Sequence, residues 1–342
     1  MQRKLLIKNT ILGLALSSSV LLPFTALGAD TPPLDPSKDN SPGAPPEGGA
    51  IVTPGGLIGV TADSHASAQD KKDIEKLLNS FEKDWNNHNL ENVMGYYADD
   101  YINNDGFDKK IISSLTSELW KTYPDIKSSS DTKSVRIEGP YATIQSHDEL
   151  AGTTTNEVQG LGTKGELKSV SEGQLFLKHV GTNWRIIGDR IDFEKIRVSY
   201  GLARQLDPIF AAPEQVKSGK QFSARLELEM PTGLAAMGTI SQATVSYPPP
   251  KPPEGYKPMG DPMDDRLLLE RVMTANTKNR NELLMATIGL TNASRNSLLG
   301  VVIMTRRLNI IPVMEEEPVK PETSASADTK DGAGSSSGTS VK

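Results

Sequence analysis

The chain has 342 residues, no cysteine and a formal net charge of −6. Without cysteine there is no disulfide, no thiol nucleophile, no zinc–thiolate site and no lipid-modified cysteine. The acidic balance speaks against nucleic acid or anionic lipid as partners, because both are held by basic patches. The four histidines, His65, His88, His147 and His179, are not spaced as a metal pair, so no metal and no cofactor are expected.

Arg3, Lys4 and Lys8 open the chain, an apolar run follows at 11–22, Pro23 breaks it, and Ala26-Leu27-Gly28-Ala29 offers small residues to a peptidase. That order is the one of a cleavable signal peptide over residues 1–29. The apolar run is about half the length a stable membrane-spanning helix needs, so no membrane anchor is expected after cleavage. Cleavage removes three positive charges and no negative one, which takes the net charge to −9. The expected location is periplasmic or extracellular. An exported chain without disulfides points to a bacterial source.

Residues 30–68 read as a linker: seven prolines and five glycines fall between residues 30 and 56. Such a segment buries too little apolar surface to offset its ordering entropy. Residues 313–342, acidic and then rich in Ser, Thr, Gly and Lys, read as a disordered tail. The remainder suits two domains, 69–202 and 203–312.

The first domain opens with helical spacing. Ile74, Leu77, Leu78, Phe81 and Trp85 make one stripe, and Asn86-Asn87-His88-Asn89 stops it. Leu90, Val93, Met94 and Tyr97 start a short second helix, and residues 108–122 predict a third. After Pro124 the period becomes two. A strand through Leu175-Phe176-Leu177 turns at Gly181-Thr182-Asn183 into Trp184-Arg185-Ile186-Ile187, a β-hairpin. Trp85, Trp120 and Trp184 read as core.

These residues carry a resemblance. The helix-break-helix ending in Tyr97-Ala98-Asp99-Asp100-Tyr101, the third helix and the hairpin at Gly181 resemble the NTF2-like superfamily over about residues 69–200. That group includes SnoaL-like cyclases and ketosteroid isomerases. The resemblance implies a bent antiparallel sheet wrapped on three helices as a cone with an interior pocket. It also implies a general base eight residues after the motif tyrosine, which here is Asp105. The oxyanion tyrosine of that group falls on Phe81, which has no hydrogen to donate. Asn103-Asn104-Asp105-Gly106 is also ordinary turn sequence.

In the second domain Phe222, Ala224, Leu226, Leu228 and Met230 alternate with polar residues. Ile240, Ala243 and Val245 continue the pattern after the turn, and Leu284, Ala286, Ile288 and Leu290 repeat it. Val302, Met304, Leu308 and Ile310 do so with Arg306 interrupting. Residues 266–275 read as strand, and the proline run at 248–253 cannot be strand interior. Several short strands with turn signals predict an immunoglobulin-like β-sandwich. The expected fold class is therefore α+β: a three-helix cone, then an all-β sandwich.

The chemical candidates all lie in the first domain. Asp105, or a His147–Asp189 pair, could act as acid or base. Tyr97, Tyr101 and Glu172 could line the pocket. The catalytic set is incomplete, so the leading expectation is a non-catalytic exported module that binds a small apolar ligand or an envelope protein. A homodimer through the sheets fits that expectation too. The alternative is a SnoaL-like or isomerase-like enzyme.

Overall fold

The stripe on the first helix decides how the N-terminal half is built. α1 (Ala68–Asn86) buries Ile74, Leu78, Phe81 and Trp85, spaced to lie on one face. It ends where His88 takes a positive φ of 57°, a state few non-glycine residues adopt. Asn89 then caps α2 (Leu90–Gly95), its side chain accepting from the Asn92 amide at 3.1 Å. Asp108 caps α3 (Lys109–Thr122) in the same way, accepting from the Ile111 amide at 2.8 Å. α3 buries Ile112, Leu115, Leu119 and Trp120. The structure is a computed structural model that describes residues 68–158, 161–246, 266–295 and 297–313. The expected signal peptide, the linker up to residue 67, the proline run and the tail from residue 314 lie outside the described residues.

β1 (Lys127–Glu138), β2 (Tyr141–Glu157), β3 (Lys164–Val180) and β4 (Asn183–Gly201) form an antiparallel meander. The β3–β4 ladder shifts register between Glu172 and Gly173 and again between Phe176 and Leu177. Such bulges bend long strands. One face of the meander meets the helices in a core that contains Trp85, Trp120, Ile144, Leu177 and Val198. The three tryptophans are buried as expected.

After β4 come β5 (Ile209–Ala211), β6 (Gln215–Lys217), β7 (Gln221–Glu229), β8 (Leu234–Thr244), β9 (Arg266–Thr274), β10 (Glu282–Asn292) and β11 (Leu298–Ile311). Here the expected fold class fails. The second half does not form a separate immunoglobulin-like sandwich after an α+β cone. β11 pairs antiparallel with β4, from Gly300 opposite Gly201 to Arg306 opposite Lys195. One sheet runs through both halves in the order β1-β2-β3-β4-β11-β10-β8, with β6 added parallel to β11. The chain is mainly β, with three α-helices and eleven strands among the described residues. The reason is that alternation identifies a strand but not its neighbour. The free edge of β4 offers unpaired backbone groups, and β11 satisfies them.

β5, β7 and β9 form a small second sheet. Residues directly opposite in a ladder share a face, so the registers sort the side chains. Ile196 and Val198 stand opposite Thr305 and Ile303 on the helix side. Met304 and Val302, one residue along, belong to a second core with Phe210, Leu226, Leu284 and Leu308. The helices pack on one face of β1, β2 and β4, and the small sheet packs on the other face, over β8, β10 and β11. β11 is buried on both faces, at consecutive residues from Val302 to Leu308.

Candidate functional site

The segment between α2 and α3 brings the Tyr-Ala-Asp-Asp residues to the sheet by backbone bonds. Tyr97 makes a parallel bridge to Ile186. The Ala98 amide donates to the Ile186 carbonyl at 2.8 Å, and the Ile102 amide donates to the Ile187 carbonyl at 3.2 Å. The fit requires glycine at 188, where a Cβ would stand 2.8 Å from the Ile102 carbonyl oxygen. Asn103 organises the turn that follows. Its side-chain oxygen accepts from the amides of Asp105 at 3.0 Å and Phe107 at 2.9 Å. Gly106 closes the turn with φ of 81°, a left-handed state that glycine enters without cost.

Two carboxylates result. The Tyr101 hydroxyl donates to Asp189 Oδ2, and both side chains are buried. Tyr97 stacks edge-on against Tyr101 with ring centroids 4.8 Å apart. Burial pushes the Asp189 carboxyl up to about 7, the Tyr101 hydrogen bond opposes the rise, the Asp105 charge adds to it, and Arg307 opposes it. The same burial, with the Asp189 charge beside them, holds both tyrosines well above the usual phenol range. At neutral pH Asp189 therefore sits near the middle of its titration, beside a phenol that stays protonated.

Asp105 is differently placed. Arg307 Nη2 donates to its Oδ1 at 2.6 Å and Nη1 to its Oδ2 at 2.9 Å, a two-point pair. Asn281 Nδ2 also donates to Oδ1 at 2.9 Å. The Arg307 side chain is 1% exposed and that of Asp105 is 3% exposed. The donors are held in turn: Arg307 Nε donates to Asn309 Oδ1 at 2.8 Å, and Asn281 Oδ1 accepts from the Ile310 amide at 3.0 Å. Asp105 is thus fastened to Arg307 on β11 and to Asn281, the residue before β10, and its charge reaches the buried Tyr101–Asp189 pair.

The other candidates lie elsewhere. His147 on β2 stands opposite Glu172 on β3, with its Nδ1 3.2 Å from Glu172 Oε1 and its Nε2 3.8 Å from Glu149 Oε1. The Glu172 side chain is 58% exposed. Both neighbours of His147 in sequence, Ser146 and Asp148, are buried, so His147 and Glu172 occupy the face away from the helices. The structure brings Tyr97, Tyr101, Asp105 and Asp189 together and leaves His147 and Glu172 outside the group. Asn281 and Arg307 complete it and were missed in the sequence. One signal was present: the continuous apolar run Val301-Val302-Ile303-Met304, three residues before Arg307, marks a strand covered on both faces. No group of three or more His, Cys, Asp and Glu among the described residues could hold a metal ion.

No protein-family model matches the chain, and no curated protein matches it. Several solved structures are similar to part of it. The Bdellovibrio bacteriovorus protein Bd1075 is 14% identical with a TM-score of 0.30; the match covers 36% of this chain and 40% of that one, less than half of its length. A putative scytalone dehydratase from Novosphingobium aromaticivorans is 11% identical with a TM-score of 0.31, covering 36% of this chain and 83% of that one. A ketosteroid isomerase-like protein from Erwinia carotovora atroseptica is 18% identical with a TM-score of 0.27, covering 36% and 94%. The last two are of the NTF2-like, ketosteroid isomerase-like kind, and the likeness is partial and remote.

Proposed function

We propose that the chain is a non-catalytic small-ligand-binding module, exported to the periplasm or the outside of the cell with residues 1–29 as its leader. The observation that supports it is the state of Asp105. A general base must be free to accept a proton from substrate. Both oxygens of Asp105 are taken by Arg307 and Asn281. These bonds tie the turn before α3 to β11 and to the residue before β10, a structural duty. On this reading residues 69–202 and 203–312 are two units fused by one sheet, and an envelope protein is the proposed class of macromolecular partner.

The test is organic extraction of the purified, full-length chain followed by mass spectrometry. Recovery of one small molecule per chain, unchanged on incubation with wild type and with Asp105→Asn alike, supports the reading. A molecule that wild type converts and Asp105→Asn does not would overturn it.

One observation favours a second reading. Asp189, raised to about 7 and bonded to Tyr101, has the protonation balance of an acid–base residue at neutral pH. An activity that disappears in Asp189→Asn, with a limb near pH 7 in the wild-type profile, would replace the binding reading with this one.

A further inference from the structure

A groove lies on the sheet face away from the helices, where β5 runs beside β4 and β11. It encloses about 510 Å³, a size suited to a small organic molecule. The registers set its floor. Lys195 stands opposite Val170 and Arg306, and Arg197 stands opposite Lys168 and Met304. Pro208, Ile209 and Phe210 form a wall.

The lining carries four cations, Lys168, Lys195, Arg197 and Arg306, against one carboxylate, Asp207. That concentration stands out in a chain of net charge −6. Asp207 is 98% exposed and meets Arg197 at 3.2 Å, a solvent-screened pair that neutralises little. Arg197 is otherwise engaged by the Ala203 and Leu206 carbonyls.

Arg306 is incompletely engaged. Its side chain is 10% exposed, and Glu214 stands 4.0 Å from Nη2, beyond hydrogen-bond reach. Nη1 donates to the Phe210 carbonyl at 3.0 Å. Nε is buried without a partner among the described residues. A buried N–H of a charged group without an acceptor carries a large desolvation cost. Nε and Nη2 form one edge of the guanidinium, the fork that takes a carboxylate at two points.

We propose that this groove binds an amphiphilic carboxylate, its head on the Nε–Nη2 edge of Arg306 and on Lys195, its apolar body along Val170, Ile209 and Met304. The inference rests on the ligand-binding reading and gives it a place and a ligand class. Arg306 interrupts the apolar alternation of β11, and the groove accounts for it: the strand carries a cation where a ligand oxygen completes its bonding.

The experiment is calorimetric titration of the full chain with dodecanoate, beside 1-dodecanol, acetate and dodecyl phosphate. One saturable dodecanoate site is expected, with Lys195→Gln and Arg306→Gln each weakening it about tenfold or more, the scale of a lost charge-assisted hydrogen bond. Ile209→Asp, at an exposed wall position, should weaken dodecanoate likewise while keeping the wild-type melting curve. Dodecanol, lacking charge, and acetate, lacking an apolar body, should each bind at least tenfold more weakly. Dodecanol binding as tightly as dodecanoate overturns the role of the cations, and dodecyl phosphate binding tighter overturns the choice of carboxylate. Dodecanoate binding untouched by all three variants overturns the groove and leaves the ligand-binding reading standing. If dodecanoate does not bind and extraction yields no small molecule, both fall.

Discussion

Asp105 and Arg307, 202 residues apart in the chain, join in a two-point ion pair at 2.6 and 2.9 Å with both side chains almost fully buried. The pair crosses from the turn before α3 to the strand that fuses the two halves of the sheet. It converts the carboxylate that the family resemblance would make a base into a fastening. The desolvation of two charges is offset here by three hydrogen bonds to one carboxylate, which is the condition under which a buried pair persists.

Asp189 should make stability depend on pH. Its folded value of about 7 lies above the ordinary 3.8, so between those values the folded state binds more protons than the unfolded one. Its contribution is then fully present below about pH 4 and is lost as pH rises through about 7, on the scale of ~1.4 kcal/mol for each tenfold change in proton affinity. Asp189→Asn should gain stability relative to wild type at pH 8 and little at pH 4, by urea unfolding at both. Glu82, also raised to about 7 by partial burial and the Asp148 charge, should act with the same sign and more weakly, because water screens it.

Tyr101→Phe removes the donor that favours ionised Asp189. A loss of about 1–3 kcal/mol is expected. The loss should be larger at pH 8 than at pH 5, because only the charged carboxylate feels the missing bond strongly. Equal losses at the two pH values would show that the hydroxyl acts through packing alone.

Gly300 faces Gly201 where β11 meets β4. A Cβ at 300 would stand 2.6 Å from the Ala203 amide nitrogen and 3.0 Å from the Tyr200 carbonyl oxygen. Gly300→Val should therefore destabilise by more than ~2 kcal/mol, the range of overpacked backbone contacts. Amide exchange should rise along β11 and β4 before it rises along β2 and β3.

His147→Gln should be nearly silent. The histidine meets two exposed glutamates on an open face, and such pairs are worth at most ~1 kcal/mol. Ligand retention and melting temperature are expected to match wild type; a large loss of retained ligand would bring His147 back as a site residue.

Local features were legible in the sequence because their causes are local. The stripe from Ile74 to Trp85 made α1 readable, and the alternation from Phe222 to Leu228 made β7 readable. The partner of each strand was not. Nothing in the alternation of β11 says that it pairs with β4 rather than closing a separate sandwich, since pairing is decided by edges and registers that meet across about a hundred residues. The site divided along the same line. Tyr97, Tyr101, Asp105 and Asp189 were found from a motif and a hairpin. Asn281 and Arg307 lie outside any motif, and Arg307 reads as a solvent-facing residue until both faces of β11 are seen to be covered. Arg306 did interrupt its pattern visibly, and it lines the groove.

The central claim is that Asp105 works as a structural partner of Arg307. A double-mutant cycle with Asp105→Asn and Arg307→Met, read by urea unfolding at pH 7, tests it most directly. Each single change should cost about 3–5 kcal/mol, since it strands a buried partner. The double change should cost at least ~2 kcal/mol less than their sum, because no charge is left buried and unpaired. Costs that add to within ~0.5 kcal/mol would mean that the two residues do not depend on each other, and would contradict the account.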